Sequence, residues 1–570
     1  MALSVLLAEL QRSSRFMQNV TAWERLPARP AQHVPLPREI DSWVASRLRA
    51  CGIEQLYSHQ AAALENAWQG CNTVVVTPTA SGKTLCYNLP VLHALRTSPE
   101  STALYLFPTK ALAQDQLAEL RKLIGEDTGI QASAYDGDTP QSSRKSIRTS
   151  VRLLVTNPDM LHTGIMPHHT HWQRLLGNLR YVVIDELHTY RGVFGSHFAN
   201  VIRRLKRICR FHGARPQFIC SSATIANPLE LAERLSEEPF TLIAENGAPR
   251  GDKHFILYNP PIVDRTLGIR RSAVLETRDL AARFLSRNIQ TIVFARSRLT
   301  TEVLLTYLQK IAVQRGIPNG VIRGYRGGYL PVQRRAIEDG LREGRVRGVV
   351  TTNALELGVD IGQLQCCIMT GYPGSIASAW QQAGRAGRSL DVAVAILVAS
   401  AAPLDQYLVT HPEYFFERSP EQGLVNPDNL NIVTTHTQCA AFELPFNDGE
   451  SFGRFAHTRD VLQFLEDERV LHHVAETWHW MSDSFPAQGI SLRTSDPNHF
   501  VIVRADEGSS PVIGQVDAFS APLLIHQGAI YLHEGQQYEV IRLDWEGRRA
   551  TVRPVEVDYY TQANQTVDIR

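Results

Sequence analysis

The chain has 570 residues, enough for about three to four domains at roughly 150 residues each, so a small disulfide-stapled module is excluded. Apolar residues make up 44% and charged residues 20%, with 37 glycines and 30 prolines, which is the composition of an ordinary globular protein rather than a disordered, collagenous or membrane chain. A net charge of +1 argues against a bulk polycation but leaves room for a groove with a local excess of arginine and lysine.

The eight cysteines form no C-x-x-C pair and several sit in apolar runs, so neither a zinc quartet nor a disulfide framework is expected. The longest nearly uncharged apolar stretch, Val392 to Leu404, spans about 13 residues, short of the roughly 20 a membrane helix needs. It reads as a buried strand and its exit. The apolar run after Met1 is broken by Glu9 and has no preceding positive charge, which argues against a cleaved signal peptide. A reducing, cytoplasmic setting without a membrane is the expectation, nucleoid-associated if the chain is bacterial.

In chain order, residues 1 to about 50 read as helical accessory sequence. From about Thr73 to Ile243, short β-branched runs (NTVVVT, TALYLF, RLLVT, YVVID, QFICSS) alternate with helical stretches, the pattern of parallel strands with crossover helices. A second series, IQTIVFA, NGVIRG, VRGVVTT, QCCIMT and VAVAILV, predicts another α/β layer. The Gly/Pro-punctuated segment from about Asn246 to Pro261 suits a connector between them. After about Pro403 the sequence turns mixed and aromatic. A helical stretch near Arg459 to Val474 and alternating runs such as HFVIVR, YEVIRL and ATVRPVEV predict a small winged-helix-like segment, then a compact antiparallel β unit.

Strand NTVVVT runs directly into TPTASGKT, Thr77 to Thr84, with a helix behind it. In this loop Thr79, Ala80 and Ser81 lead to Gly82, which lets the backbone approach a phosphate. Lys83 pairs with β and γ oxygens, and Thr84 ligates Mg²⁺. Thr77 stands where the usual pattern has its first glycine. Farther on, strand YVVI ends in Asp185-Glu186-Leu187-His188, two adjacent carboxylates at the strand edge where ligands bind in open α/β sheets. Asp185 would position Mg²⁺ and Glu186 would orient the attacking water; the plainer alternative is a solvated strand end before a helix N-terminus. In the second layer, QQAGRAGR places Arg385 and Arg388 three residues apart, so that both can share one face of a helical turn. From a second domain they would stabilise charge building on a γ-phosphate. Two surface arginines in a Gly-rich turn are the alternative.

In their order LYSHQ, TPTASGKT, FPTKALAQDQ, TNPDM, DELH, SSAT, TIVFARSR, TTNALELGVD and QQAGRAGR resemble the motifs of a superfamily 2 DEAD/DEAH-box helicase over about Tyr57 to Arg388. YRGGYLP, DQYLVTHPEYFF, VNPDNLNI, CAAFELP and DYYTQA narrow the resemblance to the MrfA/YprA-type DNA helicases, RecQ-related enzymes of DNA repair. The fold this implies is α/β: two tandem RecA-like domains plus a C-terminal winged-helix-like and small antiparallel β region. The corresponding division is 1–50, accessory; 51–250, RecA-like domain 1 with the ATP site; 251–410, RecA-like domain 2; 411–487, winged-helix-like; and 488–570, the β unit. That family carries a C-terminal four-cysteine zinc domain with no counterpart before Arg570, so either the chain is truncated or the module is absent.

The resemblance further implies that Gln60 reads the adenine edge, that Gly358, Asp360 and Gln381 complete the nucleotide site, and that His188, Ser222 and Thr224 couple hydrolysis to movement. For Tyr57 a core position is at least as good a reading as stacking on adenine. Nucleic-acid contacts fall on Pro108, Thr109 and Lys110, on Thr156, Asn157 and Asp159, on Ser297 and Arg298, and on Thr352. Hydroxyls, amides and backbone N–H groups of this kind bond phosphate oxygens without reading bases; helix capping is the alternative for the Thr156–Asp159 group. Helix ANVIRRLKRICR carries Arg203, Arg204, Lys206, Arg207 and Arg210, and reads as a solvated face rather than a duplex contact. Trp478 and Trp480 read as core residues rather than stacking surfaces beside His479.

The function so implied is an ATP- and Mg²⁺-dependent DNA helicase or translocase moving 3′ to 5′ on single-stranded DNA, with a 3′ tail or forked duplex as substrate and a monomer as the working state. The rivals are an RNA helicase, a duplex translocase that separates no strands, and a nucleotide-switched binding module without turnover.

Overall fold

A computed structural model describes residues 2–125, 129–318, 320–358, 361–362, 364–387, 391–493, 499–505, 511–518, 520–561 and 563. Among the described residues no helix is long and apolar enough to cross a membrane. The chain forms two compact units, and neither is continuous. One combines Ala31–Ala248 with Ser419–Thr494, the other Met1–Pro30, Pro249–Arg418 and Ser495–Arg570.

In the unit of 31–248 and 419–494, the β-branched runs form a seven-stranded sheet. Its order is Thr241–Ile243, Thr73–Val76, Gln217–Ser222, Leu179–Ile184, Thr102–Leu106, Leu153–Thr156 and Ala132–Ala134. Every pairing is parallel. Runs such as TVVV and TALYL are buried along their whole length, because helices cover both faces. One face packs Leu104, Val182, Ile202 and Phe218, the other Leu92, Tyr105, Leu117 and Val183. All five motif-bearing strands therefore open their carboxyl ends on one edge of the sheet.

The 419–494 part of this unit holds helices Leu430–Glu443 and Thr458–Asp467 and a three-stranded antiparallel sheet of Phe446–Asn447, Thr477–Trp480 and Leu471–Val474. Two helices followed by such a wing are a winged-helix arrangement. The helix expected near Arg459 to Val474 stops at Asp467, because Arg469 adopts a left-handed φ of 59° and the chain turns into a strand. Trp478 is buried in this domain's core and Trp480 packs against it, as expected, while His479 is exposed.

The other unit has a seven-stranded sheet of order Val20–Leu26, Lys253–Tyr258, Ala393–Val398, Cys366–Thr370, Thr291–Ala295, Gly348–Thr351 and Ile322–Tyr325. Val20–Leu26 joins antiparallel at the edge and the rest are parallel. The N-terminal sequence is thus only partly helical. Ala2–Arg12 buries Leu3, Leu6, Leu7 and Leu10 on one sheet face, after which WERL supplies an edge strand whose Trp23 indole donates to His254 Nδ1 at 2.9 Å. Part of the expected connector is likewise structured: Lys253–Tyr258 is a largely buried strand. The C-terminal sheet has order Val512–Asp517, His499–Arg504, Arg549–Val555, Gln536–Asp544 and Ile530–His533, antiparallel except where His499–Arg504 meets Arg549–Val555.

Candidate nucleotide and nucleic-acid site

The loop after Thr73–Val76 turns through two left-handed residues, Ala80 at φ 61° and Gly82 at φ 77°, the alternation that lets successive backbone N–H groups converge on an anion. At Gly82 a Cβ would lie 2.6 Å from Gln60 Nε2, so a side chain there would have to displace the Gln60 amide as well as take the left-handed backbone. Ser81 and Thr77 hydroxyls bond at 2.6 Å. The Lys83 ammonium donates to the carbonyls of Thr77 (3.0 Å) and Ser222 (3.1 Å), tying the loop to the strand end that carries SSAT. Thr84 Oγ1 donates to Gln116 Oε1 at 3.4 Å.

Gln60 is 2% exposed; its carbonyl accepts from Tyr57 N (2.9 Å) and its amide donates to Gly82 O (2.9 Å). Tyr57 is half-buried, with its ring beside His33 and His59. His59, not singled out in the sequence, braces the same loop. It is buried, with Nε2 3.0 Å from Ser81 O and Nδ1 accepting from Gly247 N at 3.2 Å. Only its place inside LYSHQ could have signalled it.

Asp185 and Glu186 are each 7% exposed at the end of Leu179–Ile184. Asp185 accepts from the Ser221 hydroxyl, from Glu186 N at 2.9 Å and from Tyr87 Oη at 3.3 Å. Burial, together with the negative charge of Glu186, raises its carboxyl to about 6. Glu186 is held at φ 52°, ψ 48°, where a residue with a Cβ carries roughly 1–2 kcal/mol of strain. This is the strand-end acid pair rather than a solvated one. His188 is lowered to about 4 by burial, so it is neutral at pH 7. Its Nδ1 accepts from Ala223 N at 3.2 Å and lies 3.5 Å from Ser222 Oγ and 3.6 Å from Glu186 Oε2, which places its proton on Nε2. Thr224 is exposed at the end of the same segment.

Of the residues assigned to nucleic acid in this unit, Thr109 accepts from Leu112 N (3.3 Å) and Asn157 from Met160 N (2.9 Å), each capping the helix after its strand. Thr156 is buried and donates to Tyr135 O at 2.6 Å, Pro108 is buried, and exposed Lys110 pairs with Asp138 at 3.2 Å. Asp159 is paired with Arg493 of the winged-helix segment at 3.0 Å.

In the other unit Ser297 caps helix Arg298–Gln314 (3.0 Å) and Thr352 accepts from Ala354 N (3.4 Å). Arg298 donates to Asp517 of the C-terminal sheet at 3.1 Å. Gln381 is buried in helix Ile376–Ala383 and Gly358 is half-buried. The helix ends at Ala383, and Arg385 lies beyond it, 1% exposed, with Nε on the Glu356 carbonyl at 3.1 Å. Arg385 is thus carried by a turn rather than a helix, with Gly384 at the helix end and Gly387 at φ 86°, and the helical face it was expected to share with Arg388 cannot be followed, since that residue is outside the described residues. Lys253 secures that helix end by donating to Ala383 O at 3.0 Å. Asp360 and Arg388 lie outside the described residues.

Helix Gly192–Phe211 is the largest departure from expectation. Arg203, Arg204 and Lys206 are nearly fully buried. Arg203 pairs with Glu237 and Asp428, each at 2.7 Å; Arg204 pairs with Glu443; Lys206 with Glu238; and Arg207 with Glu450 at 2.5 Å. Asp428, Glu443 and Glu450 of the winged-helix segment and Glu237 and Glu238 of the helix's own domain fold against this face, while Arg210 alone of the five stays exposed, as expected.

Residues 57–232 match the model for DEAD/DEAH box helicases, 276–389 that for the helicase conserved C-terminal domain, and 425–495 that for the winged helix domain of ATP-dependent helicase HRQ1. The chain is 55% identical over 566 residues to the uncharacterized ATP-dependent helicase YprA of Bacillus subtilis, a match covering 99% of this chain and 75% of YprA. It is 36% identical to HRQ1 of Saccharomyces cerevisiae over 99% of its own length and spans 53% of that protein. The crystal structure of the DUF1998 helicase MrfA bound to DNA and AMPPNP matches with a TM-score of 0.95 at 54% identity, covering 100% of this chain and 79% of MrfA.

Proposed function

This chain belongs to the DEAD/DEAH-box helicases of superfamily 2, of the MrfA/YprA type, and is an ATP-dependent helicase; we propose that it moves 3′ to 5′ along single-stranded DNA in DNA repair. The observation that supports a motor driven by ATP is one bonded group at the sheet edge: Lys83 on Ser222 O, Ser221 on Asp185, and Ala223 N on His188. Phosphate loop, acidic pair and SSAT are thereby linked, so a change of charge at the phosphate is felt where SSAT turns toward Thr224.

In this reading Lys83 and the loop amides hold the β and γ oxygens of ATP, Glu186 orients the attacking water, and Gln60 meets the adenine edge. Thr84 and Asp185 would hold Mg²⁺, which when bound supplies charge neutralisation at the phosphates. The fit is chemical: two adjacent buried carboxyls, one raised to about 6, are the oxygen-rich and charge-strained set that a hard divalent cation relieves. Gly358, Asp360 and Gln381 would complete the nucleotide site, and Arg385 and Arg388 would stabilise charge building on the γ-phosphate. The loops at Pro108–Lys110, Thr156–Asp159, Ser297–Arg298 and Thr352 track the DNA backbone, with a 3′-tailed or forked duplex as substrate. Opening one base-pair step costs about 1.4 kcal/mol on average, within reach of one ATP.

Glu186→Gln is expected to lower DNA-stimulated ATP turnover by about 10²-fold or more while ATP binding persists. Wild-type turnover no faster than that of this variant would end the enzyme reading. Matched DNA and RNA oligonucleotides decide the substrate, with greater stimulation by RNA overturning the choice of DNA. Displacement from 3′-tailed but not 5′-tailed duplexes is expected for the direction.

A further inference from the structure

Arg493 lies at the end of the winged-helix segment, far in sequence from the helicase motifs, yet its side chain reaches three of their elements. Nε donates to Asp159 Oδ2 at 3.0 Å, a terminal nitrogen donates to the Pro108 carbonyl, and the guanidinium stands 4.4 Å over the Phe194 ring. Pro108 and Asp159 lie on the segments that leave neighbouring parallel strands, Thr102–Leu106 and Leu153–Thr156, with Asp159 in the short helix Pro158–Met160. Phe194 lies in the first turn of helix Gly192–Phe211, after the acidic pair, and stacks on Tyr190, two residues past His188. The backbone bearing Arg493 is itself fixed. Leu492 is 2% exposed within the hydrophobic core of the first RecA-like sheet, and Ile490 packs against the same cluster.

Stability does not account for this arrangement. The side chains of Arg493 and Asp159 are 34% and 47% exposed, and ion pairs this open contribute little to folding. What the planar fork of an arginine does supply is geometry, since it can hold a carboxylate and a carbonyl at a set separation, which a lysine cannot. We propose that Arg493 is a positioning residue through which the winged-helix segment fixes the spacing of the two backbone-gripping loops, Pro108–Lys110 and Thr156–Asp159. This rests on the reading of those loops as nucleic-acid contacts. Loops held at one spacing meet successive phosphates without rearranging, so the fork lowers the ordering cost of binding and acts on affinity rather than on hydrolysis.

The test is ATPase activity of the full chain titrated with single-stranded DNA. Arg493→Met keeps an apolar stem over Phe194 and removes the donors. It is expected to raise the half-saturating DNA concentration about tenfold, the size of one or two lost charge-assisted bonds, with the saturated rate within about twofold of wild type. Arg493→Lys, which keeps the charge without the fork, is expected to behave like Arg493→Met. The slope of log affinity against log salt should stay unchanged in both. Wild-type half-saturation in Arg493→Met, rescue by lysine, or a slope shallower by about 0.7, the increment for one single-strand phosphate, would each overturn the proposal. The last two would make Arg493 a phosphate contact. Thr109→Ala with Lys110→Ala separates the two levels: if this pair leaves DNA response intact, the reading of the loops fails; if it weakens binding while Arg493→Met does not, only the positioning role fails.

Discussion

Arg326, in the YRGGYLP segment, is 2% exposed and bonds Glu302 at 2.7 Å, Tyr531 Oη at 3.0 Å and Leu532 O at 2.9 Å, with the Tyr329 ring 4.9 Å away. One guanidinium thus joins the second RecA-like sheet to the C-terminal one. Replacing it by methionine leaves Glu302 buried and uncompensated, so Arg326→Met is expected to lose about 3–5 kcal/mol in a denaturant titration. Adding Glu302→Leu should recover much of that loss, since a buried pair replaced by apolar groups is often neutral. The sequence offered YRGGYLP only as a family marker. Its buried charge was not legible because the partners, Glu302 and Tyr531, lie on elements far along the chain.

Between elements, helices Gly192–Phe211 and Leu430–Glu443 meet around Arg204 and Glu443, with His162 Nδ1 2.6 Å from the guanidinium and His197 Nδ1 3.0 Å from His436 Nε2. Burial, reinforced by Arg204, lowers His162 to about 2 and His436 well below its ordinary value; burial also lowers His197. The sign follows directly. The folded imidazoles stay neutral while unfolded ones take up protons below about 6.5, so their contribution is full above that pH and is lost as pH falls through it. From pH 7 to 5, His162 and His436 together should cost on the order of 4 kcal/mol, at about 1.4 kcal/mol per pH unit each. Melting of the full chain across that range should show the loss, and His436→Gln should flatten it. Composition marked this helix as a charged face, whereas its burial depended on which acids the fold brought to it.

At the scale of the whole molecule, both compact units are built from separated stretches of chain. Val425 and Leu492 fill the core of the first RecA-like sheet, and Glu443 is the counter-charge of Arg204. A fragment of residues 31–248 would lack all three. It is expected to show no cooperative thermal transition at temperatures where the full chain remains folded, a comparison calorimetry can make.

Local sequence was enough for the parallel strands, the phosphate loop at Thr77–Thr84, the acidic pair at Asp185 and Glu186 and a winged-helix-like segment. Each is written in a local pattern: β-branched runs, a Gly-Lys-Thr turn, acids at a strand end, a helical stretch followed by alternating runs. That Val20–Leu26 edges the second sheet, that Arg385 turns inward past a helix end, and that Arg203, Arg204 and Arg207 hold the winged-helix segment emerged only from the folded arrangement. It also brought Arg493 to Asp159 and Pro108. Those outcomes depend on partners tens to hundreds of residues away, and a charged side chain carries no local mark of whether its counter-charge will be water or a buried acid.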